Sequence, residues 1–210
     1  MKKIILPIIA ILSFCVTGYS QTNIQKMTDA EIDAAFAQIK ETFAESPEEW
    51  VFTKVIQAEG HSAVDILNAA NEALLSVYSS CKDVIQEFDK DGCKVIGKGY
   101  VTSDVRTQNA FTIALYRPIH LVKVEAKDNR YKVTLSIKET QIQCGAQVDA
   151  NQFGNATVAL SYYFPYDRNF KKSLRPVCWD LLNFIYTSAN GTISEMEKKV
   201  SAKLSSGDDW

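Results

Sequence analysis

Histidine is the most frequent general base in enzymes, and this sequence contains two histidines, His61 and His120. A cysteine activated by a histidine is one conceivable catalytic pairing. Neither histidine stands in a His-Glu-x-x-His motif, and Gly-x-Ser-x-Gly is absent. A hydrolase would need His61 or His120 beside a carboxylate or a thiol in a cleft. The sequence therefore predicts no catalytic residue, no metal ligand set and no cofactor, and a hydrolase is kept as the alternative function.

The cysteines downstream of the first twenty residues favour disulfide bonding. Their spacing contains no Cys-x-x-Cys pair, which zinc sites typically use. An even count in an exported chain is consistent with disulfides, so we predict at least one. A pairing of Cys81 with Cys93 is disfavoured, because the expected hairpin places Cys93 opposite Phe88. Buried free thiols are the alternative. The candidates are Cys81, Cys93, Cys144 and Cys178.

An aromatic run is the best candidate for a contact surface. Exposed aromatic rings stack on sugars or anchor a protein partner. The alternative is that alternate rings enter the core. The candidate binding residues are Tyr162, Tyr163, Phe164 and Tyr166.

Two glycine-containing segments resemble ligand loops without meeting their requirements. The segment 88–92, Phe-Asp-Lys-Asp-Gly, has its glycine at position 4 of the loop, and position 12 is Tyr100. A calcium loop needs glycine at position 6 and glutamate at position 12, so we predict a hairpin turn. Gly97 and Gly99 are not followed by a helix, as a phosphate loop would require. They predict a bulge or a close approach of a helix to the sheet.

The amino terminus predicts export. Two lysines precede an apolar run over residues 4–16, and the small residues Gly18 and Ser20 precede Gln21. This arrangement is typical of a secretory signal peptide cleaved near Ser20–Gln21. The run of about 13 residues is shorter than the ~20 that span a bilayer. An uncleaved anchor helix is the alternative.

Lipidation at Cys15 is disfavoured. The residue before a lipidated cysteine is small, and here it is Phe14. We therefore expect a protein of the periplasm or cell exterior, soluble after cleavage, with no transmembrane span.

Composition excludes one class of partner. Loss of Lys2 and Lys3 with the leader changes the net charge from −2 to −4. A nucleic-acid binder normally has a clustered basic face, and none is visible. The hydrophobic content of 46% predicts a globular core. We expect an envelope protein or a glycan as partner, and no nucleic acid.

Hydrophobic periodicity predicts helices around a set of strands. Thr28 and Glu31 form a capping box before one helix, and Ser62 caps a second over 62–79. Asn190 and Gly191 separate two carboxyl-terminal helices. Residues 144–157 read as a loop, and 158–166 as a strand or an aromatic loop. Strands are predicted over 50–58, 84–88, 94–101, 110–115, 119–126 and 130–142.

The order of these elements predicts an α+β roll. Residues 50–142 resemble an exported bacterial domain-of-unknown-function family with a TATA-binding-protein-like fold. The resemblance rests on the strands at 50–56 and 84–89, on Gly60-His-Ser62 before a helix that ends near Tyr78, on the glycine pair at 97 and 99, and on the hairpin strand 131–137. We predict a curved, mainly antiparallel sheet of about five strands with one packed helix, flanked by amino- and carboxyl-terminal helices. The four cysteines and the long carboxyl-terminal helical part depart from the family. The resemblance covers about half of the chain that follows the leader. It also implies a Gram-negative source and no assigned activity.

The sequence thus predicts four segments. They are a signal peptide (1–20), an amino-terminal leader and helix (21–49), an α+β core (50–142), and a loop with a carboxyl-terminal helical extension (143–210). The predicted function is a non-enzymatic binding or interaction module of the bacterial cell envelope.

Overall fold

A computed structural model of the chain describes residues 48–79, 83–104, 106–109, 112–146, 154–163 and 175–206, together with isolated positions between 28 and 46. The predicted leader, its cleavage position and Cys15 lie outside the described residues. Cys81, Phe164 and Tyr166 lie outside them as well.

An antiparallel sheet forms the centre of the described part. Its strands are β1 (Trp50–Gln57), β2 (Ile85–Asp89), β3 (Lys94–Tyr100), β4 (Arg106–Asn109), β5 (Thr112–Lys127), β6 (Arg130–Ala146) and β7 (Gly154–Ala159). Five of them follow the order β1-β6-β5-β3-β2, while β4 pairs with β5 and β7 pairs with β6. All these pairings are antiparallel. The predicted α+β class with a mainly antiparallel sheet is confirmed.

Alternation along β6 separates a buried face of the sheet from an open one. Lys132, Thr134 and Ser136 are half-buried on the open face. The residues between them are buried, as the alternating pattern predicted. These are Tyr131, Val133, Leu135 and Ile137.

The first helix, α1 (Ala63–Val77), lies on the buried face. Ser62 Oγ accepts a hydrogen bond from the Asp65 amide at 3.2 Å, and Asp65 Oδ2 accepts one from the Ser62 amide at 3.3 Å. The predicted cap is therefore present, with the full capping box. Leu67, Leu74 and Tyr78 are fully buried, which confirms the predicted packing of this helix.

The tip of the β5–β6 hairpin fastens the start of α1. Asn129 has a left-handed backbone (φ 65°), which asparagine tolerates well. Its Oδ1 accepts a hydrogen bond from the Gly60 amide, and Asp128 Oδ1 accepts one from the Ala63 amide, both at 2.8 Å. The turn thereby satisfies the Ala63 amide, which would otherwise be orphaned at the helix terminus, and the Gly60 amide just before the helix.

Gly97 and Gly99 allow α1 to approach the sheet closely, as predicted. A Cβ atom at Gly97 would lie 3.0 Å from the Leu74 side chain, and one at Gly99 would lie 2.4 Å from the Tyr78 ring. Leu74 and Tyr78 therefore occupy the space that side chains at positions 97 and 99 would fill.

One predicted strand break is wrong. We expected Arg117 and Pro118 to end a short strand, but β5 runs through both. On one side of β5, β4 pairs as far as Ala114 and β3 pairs from Ile119. Pro118 lies between these two partners, where a missing amide hydrogen costs no ladder bond on that side. The β5–β6 register shifts between Pro118 and His120.

The second helix, α2 (Arg175–Ser205), is continuous where two helices were predicted. Glycine inside a helix costs about 1 kcal/mol relative to alanine. Ile193, Met196 and Val200, beyond Gly191, are buried, and each such side chain contributes roughly 1.5–3 kcal/mol. Packing of the second half therefore outweighs the local weakness at Gly191.

The loop predicted over 144–157 is wrong at both ends. Residues 144–146 belong to β6, and residues 154–157 belong to β7. The pairing of β7 with β6 begins at Gly154, opposite Cys144, and ends at Ala159, opposite Glu139. Backbone bonds to β6 hold this edge strand although its sequence is polar. The chain then forms a 3-10 helix, Leu160–Tyr163.

The amino-terminal capping box is also present. Thr28 Oγ1 accepts a hydrogen bond from the Glu31 amide at 3.3 Å, and Glu31 Oε2 accepts one from the Thr28 amide at 2.8 Å. These bonds lower the pKa of Glu31.

Candidate binding cleft

A cleft of about 500 Å³ opens between α1, α2 and the segment that follows β3. Ser76 and Val77 contribute the end of α1, while Val101, Thr102 and Asp104 come from the segment after β3. Nothing in the sequence marks these residues as a binding site, because their types are ordinary for helix ends and loops.

One stripe of α2 forms the longest wall. Its lining residues recur three or four positions apart, the spacing of one helix face. They are Phe184, Thr187, Ser188, Gly191, Thr192, Glu195 and Lys199. This wall exists because α2 is continuous. Since the sequence predicted a helix break at Gly191, it did not predict the cleft.

Two hydroxyl groups on this wall are oriented by the helix itself. Thr187 Oγ1 donates a hydrogen bond to the Asn183 carbonyl at 2.8 Å, and Ser188 Oγ donates one to the Ile185 carbonyl at 3.0 Å. Each hydroxyl has a single hydrogen, so its oxygen keeps lone pairs for another partner. The wall therefore presents hydrogen-bond acceptors.

The charged residues of the cleft leave it acidic. Lys199 Nζ lies 3.4 Å from Glu195 Oε1, one turn away on the same helix. Asp104 adds a second carboxylate to the described lining. The lining thus carries one more negative than positive charge and suits a ligand that donates hydrogen bonds.

Gly191 lies on the wall with no packing reason to be glycine. A Cβ atom placed there would meet no atom within 4 Å, and its backbone is not left-handed. Alanine would support the helix better by about 1 kcal/mol. The missing side chain leaves the helix backbone open to close approach from the cleft.

A buried ion pair contacts Phe184 of the cleft lining. Arg106 Nε lies 3.8 Å from Asp180 Oδ2, and each residue is only 7% exposed. The Arg106 guanidinium lies 5.9 Å from the centre of the Phe184 ring, which lines the cleft. Burial raises the pKa of Asp180, while Arg106 and a hydrogen bond from Tyr116 oppose that shift. The pair joins β4 to α2, and nothing in the sequence pattern indicated it.

Neither histidine lines the cleft. His120 is fully buried beside Tyr78, whose Oη lies 2.9 Å from His120 Nδ1. Burial lowers the pKa of His120 to about 3, so the ring is neutral. His61 precedes α1 and is half-buried. The described lining of the cleft contains neither histidine and no cysteine.

Only one member of the aromatic run can be placed. Tyr162 is 65% exposed in the 3-10 helix. The side chain of Tyr163, and Phe164 and Tyr166 entirely, lie outside the described residues, so this contact surface stays a prediction.

Charges on the open face of the sheet are paired with one another. Glu125 Oε2 lies 2.7 Å from Lys132 Nζ and 3.2 Å from Lys123 Nζ, and these contacts lower the pKa of Glu125. Lys94 Nζ lies 2.7 Å from Glu87 Oε1. This face therefore presents mixed charges and no field of one sign.

No disulfide is seen among the described cysteines, while Cys81 lies outside the described residues. Cys93, Cys144 and Cys178 are free thiols. The expected register was wrong, since Phe88 faces Val95. The Cys93 carbonyl bonds the Ala126 amide, whereas Cys144 faces Ala114. Twelve residues of β5 separate those positions, about 40 Å, and a disulfide needs Cα atoms within about 7 Å. An even number of cysteines in a sequence does not indicate how far apart they lie in the fold.

We expect Cys178 to resist thiol reagents until the protein unfolds. It is 7% exposed, and burial raises its pKa to about 11. Burial also raises the pKa of Cys144. Cys93 is half-buried in the β2–β3 turn. Timed alkylation at pH 8 followed by peptide mass spectrometry should label Cys93 before Cys144 and Cys178, since reaction requires an accessible thiolate. Equal rates at Cys93 and Cys178 would contradict the burial described here, and a cysteine that stays unlabelled in denaturant without reductant would reveal a disulfide.

The described ranges contain neither a cluster of metal ligands nor a helix suited to span a membrane. No three histidine, cysteine, aspartate or glutamate side chains in those ranges come together as a metal site would require. Neither helix in them combines the length and apolar character that crossing a membrane demands.

The described elements form an antiparallel sheet with α1 and α2 packed on one face. The chain is similar to a TBP-like protein from Parabacteroides distasonis, with 14% identity, a TM-score of 0.44 and coverage of 71% of this chain and 94% of that one. It is also similar to a DUF4468 family protein from Bacteroides ovatus, with 16% identity, a TM-score of 0.47 and coverage of 76% and 88%. Both descriptions agree with the resemblance stated from the sequence. No family model and no curated protein matches the chain.

Proposed function

We propose that this chain is a non-enzymatic binding module of the bacterial cell envelope, and that it holds a small ligand in the cleft between α1 and α2. The observation that carries the proposal is Gly191. A glycine that weakens a helix, with open space where its side chain would be, makes sense where a ligand approaches the backbone.

The chemistry of the lining selects a ligand rich in donors. The oxygens of Thr187 and Ser188 are free to accept, because their hydrogens are used within α2. Asp104 adds a negative charge. Phe184 adds an apolar ring to the lining, on which a sugar ring can stack. A sugar with hydroxyl and ammonium groups fits this set, and the predicted export places the protein among envelope glycans.

The matched probes are a β-1,4-linked glucosamine disaccharide and its N-acetylated counterpart. Calorimetric titration of the purified protein is expected to show tighter binding of the ammonium form. A charge-assisted hydrogen bond exceeds a neutral one by about 1 kcal/mol, which is roughly a fivefold ratio of dissociation constants. Asp104→Asn should remove most of that ratio. Equal affinity for both sugars in the unmodified protein would contradict the ligand class.

Gly191→Gln is the variant that tests the location. A side chain at this position extends into the space beside α2, so we expect affinity to fall at least tenfold while the helix is retained. Asn190→Gln is the matched control, since Asn190 is exposed and outside the described lining. Undiminished binding by Gly191→Gln would remove the cleft from consideration. Cleavage of the disaccharide during the titration would instead favour the hydrolase alternative.

A further inference from the structure

The outer edge of β1 has no strand partner among the described residues. β1 pairs with β6 on one side, and its other side ends the strand order. The middle of the strand is uncovered, since Thr53 and Lys54 are exposed and the neighbouring Val51 and Val55 are 48% and 56% exposed. An open edge of this kind is a template for pairing with another strand.

The backbone direction along β1 follows from the hydrogen bond at its end. The Ala58 amide donates to the Asn129 carbonyl at 2.7 Å, towards the β5–β6 hairpin. Bonding direction alternates along an antiparallel strand. The even-numbered residues of β1 therefore bond β6, and Val51, Thr53 and Val55 direct their amides and carbonyls outward.

We propose that two copies of this chain pair through β1, antiparallel and centred on Thr53. This register places Val51 of one copy opposite Val55 of the other, and Thr53 opposite its own counterpart. Every outward-directed residue then meets an outward-directed residue, so the ladder bonds form without a slip. The exposed valines cover each other on the open face, where cross-strand β-branched pairs are favourable.

The charge on this edge does not oppose the pairing. Lysine on an edge strand commonly blocks edge-to-edge contact. Lys54 instead forms an ion pair with Glu197 of α2, on the helix-covered side of the sheet. Val51 and Val55 lie beside Ser136 and Lys132 of β6. The occupant that best matches a strand with this self-complementary pattern is a second β1.

A pair of double variants tests the register. In Val51→Lys with Val55→Lys, the dimer would place lysine opposite lysine twice, so we expect a monomer. In Val51→Lys with Val55→Glu, each lysine would face a glutamate, so we expect the dimer to persist. Light scattering after size exclusion should give twice the chain mass for the unmodified protein and the Lys/Glu variant, and the single mass for the Lys/Lys variant. Circular dichroism confirms that each is folded.

Each other result overturns the proposal. At about 100 µM even a weakly associating dimer is populated. If the unmodified protein is still monomeric at that concentration, β1 does not pair with itself. A dimeric Lys/Lys variant would place the interface elsewhere. A monomeric Lys/Glu variant would refute the register.

Covalent cross-linking gives a second test of the register. Hydrogen-bonded antiparallel pairs have Cα atoms about 5.5 Å apart, within the range of a disulfide. Thr53→Cys should therefore cross-link two chains under oxidation. Gln57→Cys is the control, because the same register separates its two copies by about 26 Å. Equal cross-linking of both variants would contradict pairing centred on Thr53.

Discussion

Replacing Gly99 by alanine is expected to lower the free energy of unfolding by about 3 kcal/mol, the upper part of the range for overpacked cores. The added Cβ would lie 2.4 Å from two ring atoms of Tyr78 and 2.9 Å from its Cβ. The ring has little freedom to move, since it is fully buried and its hydroxyl contacts His120. Urea unfolding measures the loss.

Alanine substitutions at two other glycines should change stability by different amounts, because the space around each glycine differs. Gly97→Ala should cost less, because its Cβ would meet the flexible methyl groups of Leu74 at 3.0 and 3.2 Å. Gly191→Ala, which meets no atom within 4 Å, should stabilise the helix by up to about 1 kcal/mol. In a Tyr78→Ala background, the cost of Gly99→Ala should largely disappear. A Gly99→Ala variant within about 0.5 kcal/mol of the unmodified protein would contradict the close packing of α1, since that is the range of neutral surface changes.

Acid is expected to destabilise the protein through His120. Burial lowers its folded-state pKa to about 3, whereas the unfolded chain has a value near 6.5. Between these values the unfolded state binds more protons, so the stability from the neutral ring is complete above about pH 6.5 and is lost as the pH falls. The slope is about 1.4 kcal/mol per pH unit, which gives roughly 2–3 kcal/mol by pH 4.5.

The test compares unfolding free energies of the unmodified protein and His120→Gln between pH 7 and pH 4.5. Glutamine keeps a hydrogen-bonding group near Tyr78 and removes the titration. The unfolding free energies of the two proteins should approach each other as the pH falls, because only the unmodified protein loses the contribution of His120. The other titrating groups are common to both proteins and cancel in the difference. His61→Gln is the matched control, because His61 lies outside the core. Parallel curves for the unmodified protein and His120→Gln would show that the pKa of His120 is the same in the folded and unfolded states.

The sequence predicted the elements whose signals are local. Ser62 with Asp65 identified the start of α1, and Gly97 with Gly99 indicated the close approach of that helix. Each of these signals comes from side chains within a few residues of one another. The alternation in β6 likewise predicted which face is buried, because strand geometry has a period of two.

Errors arose where distant packing overrides a local signal. Pro118 reads as a strand end, yet β5 continues because a gap between its neighbours tolerates the missing amide. Gly191 reads as a helix end, yet burial of Ile193 and Met196 holds α2 together. The cleft depended on that continuity, so its residues were not predictable. The Arg106–Asp180 pair joins elements far apart in sequence and has no local signature.

The strand order has a consequence for synthesis on the ribosome. β1 pairs only with β6 among the described strands, and the chain must grow by roughly 70–90 residues between them, which takes about 4–18 s at ordinary elongation rates. During that interval Trp50, Phe52 and Ile56 have no sheet to cover them. The nascent chain therefore exposes the apolar side chains of β1 before β6 has been synthesised. The yield of folded protein depends on what shields β1 until Ile137 has emerged.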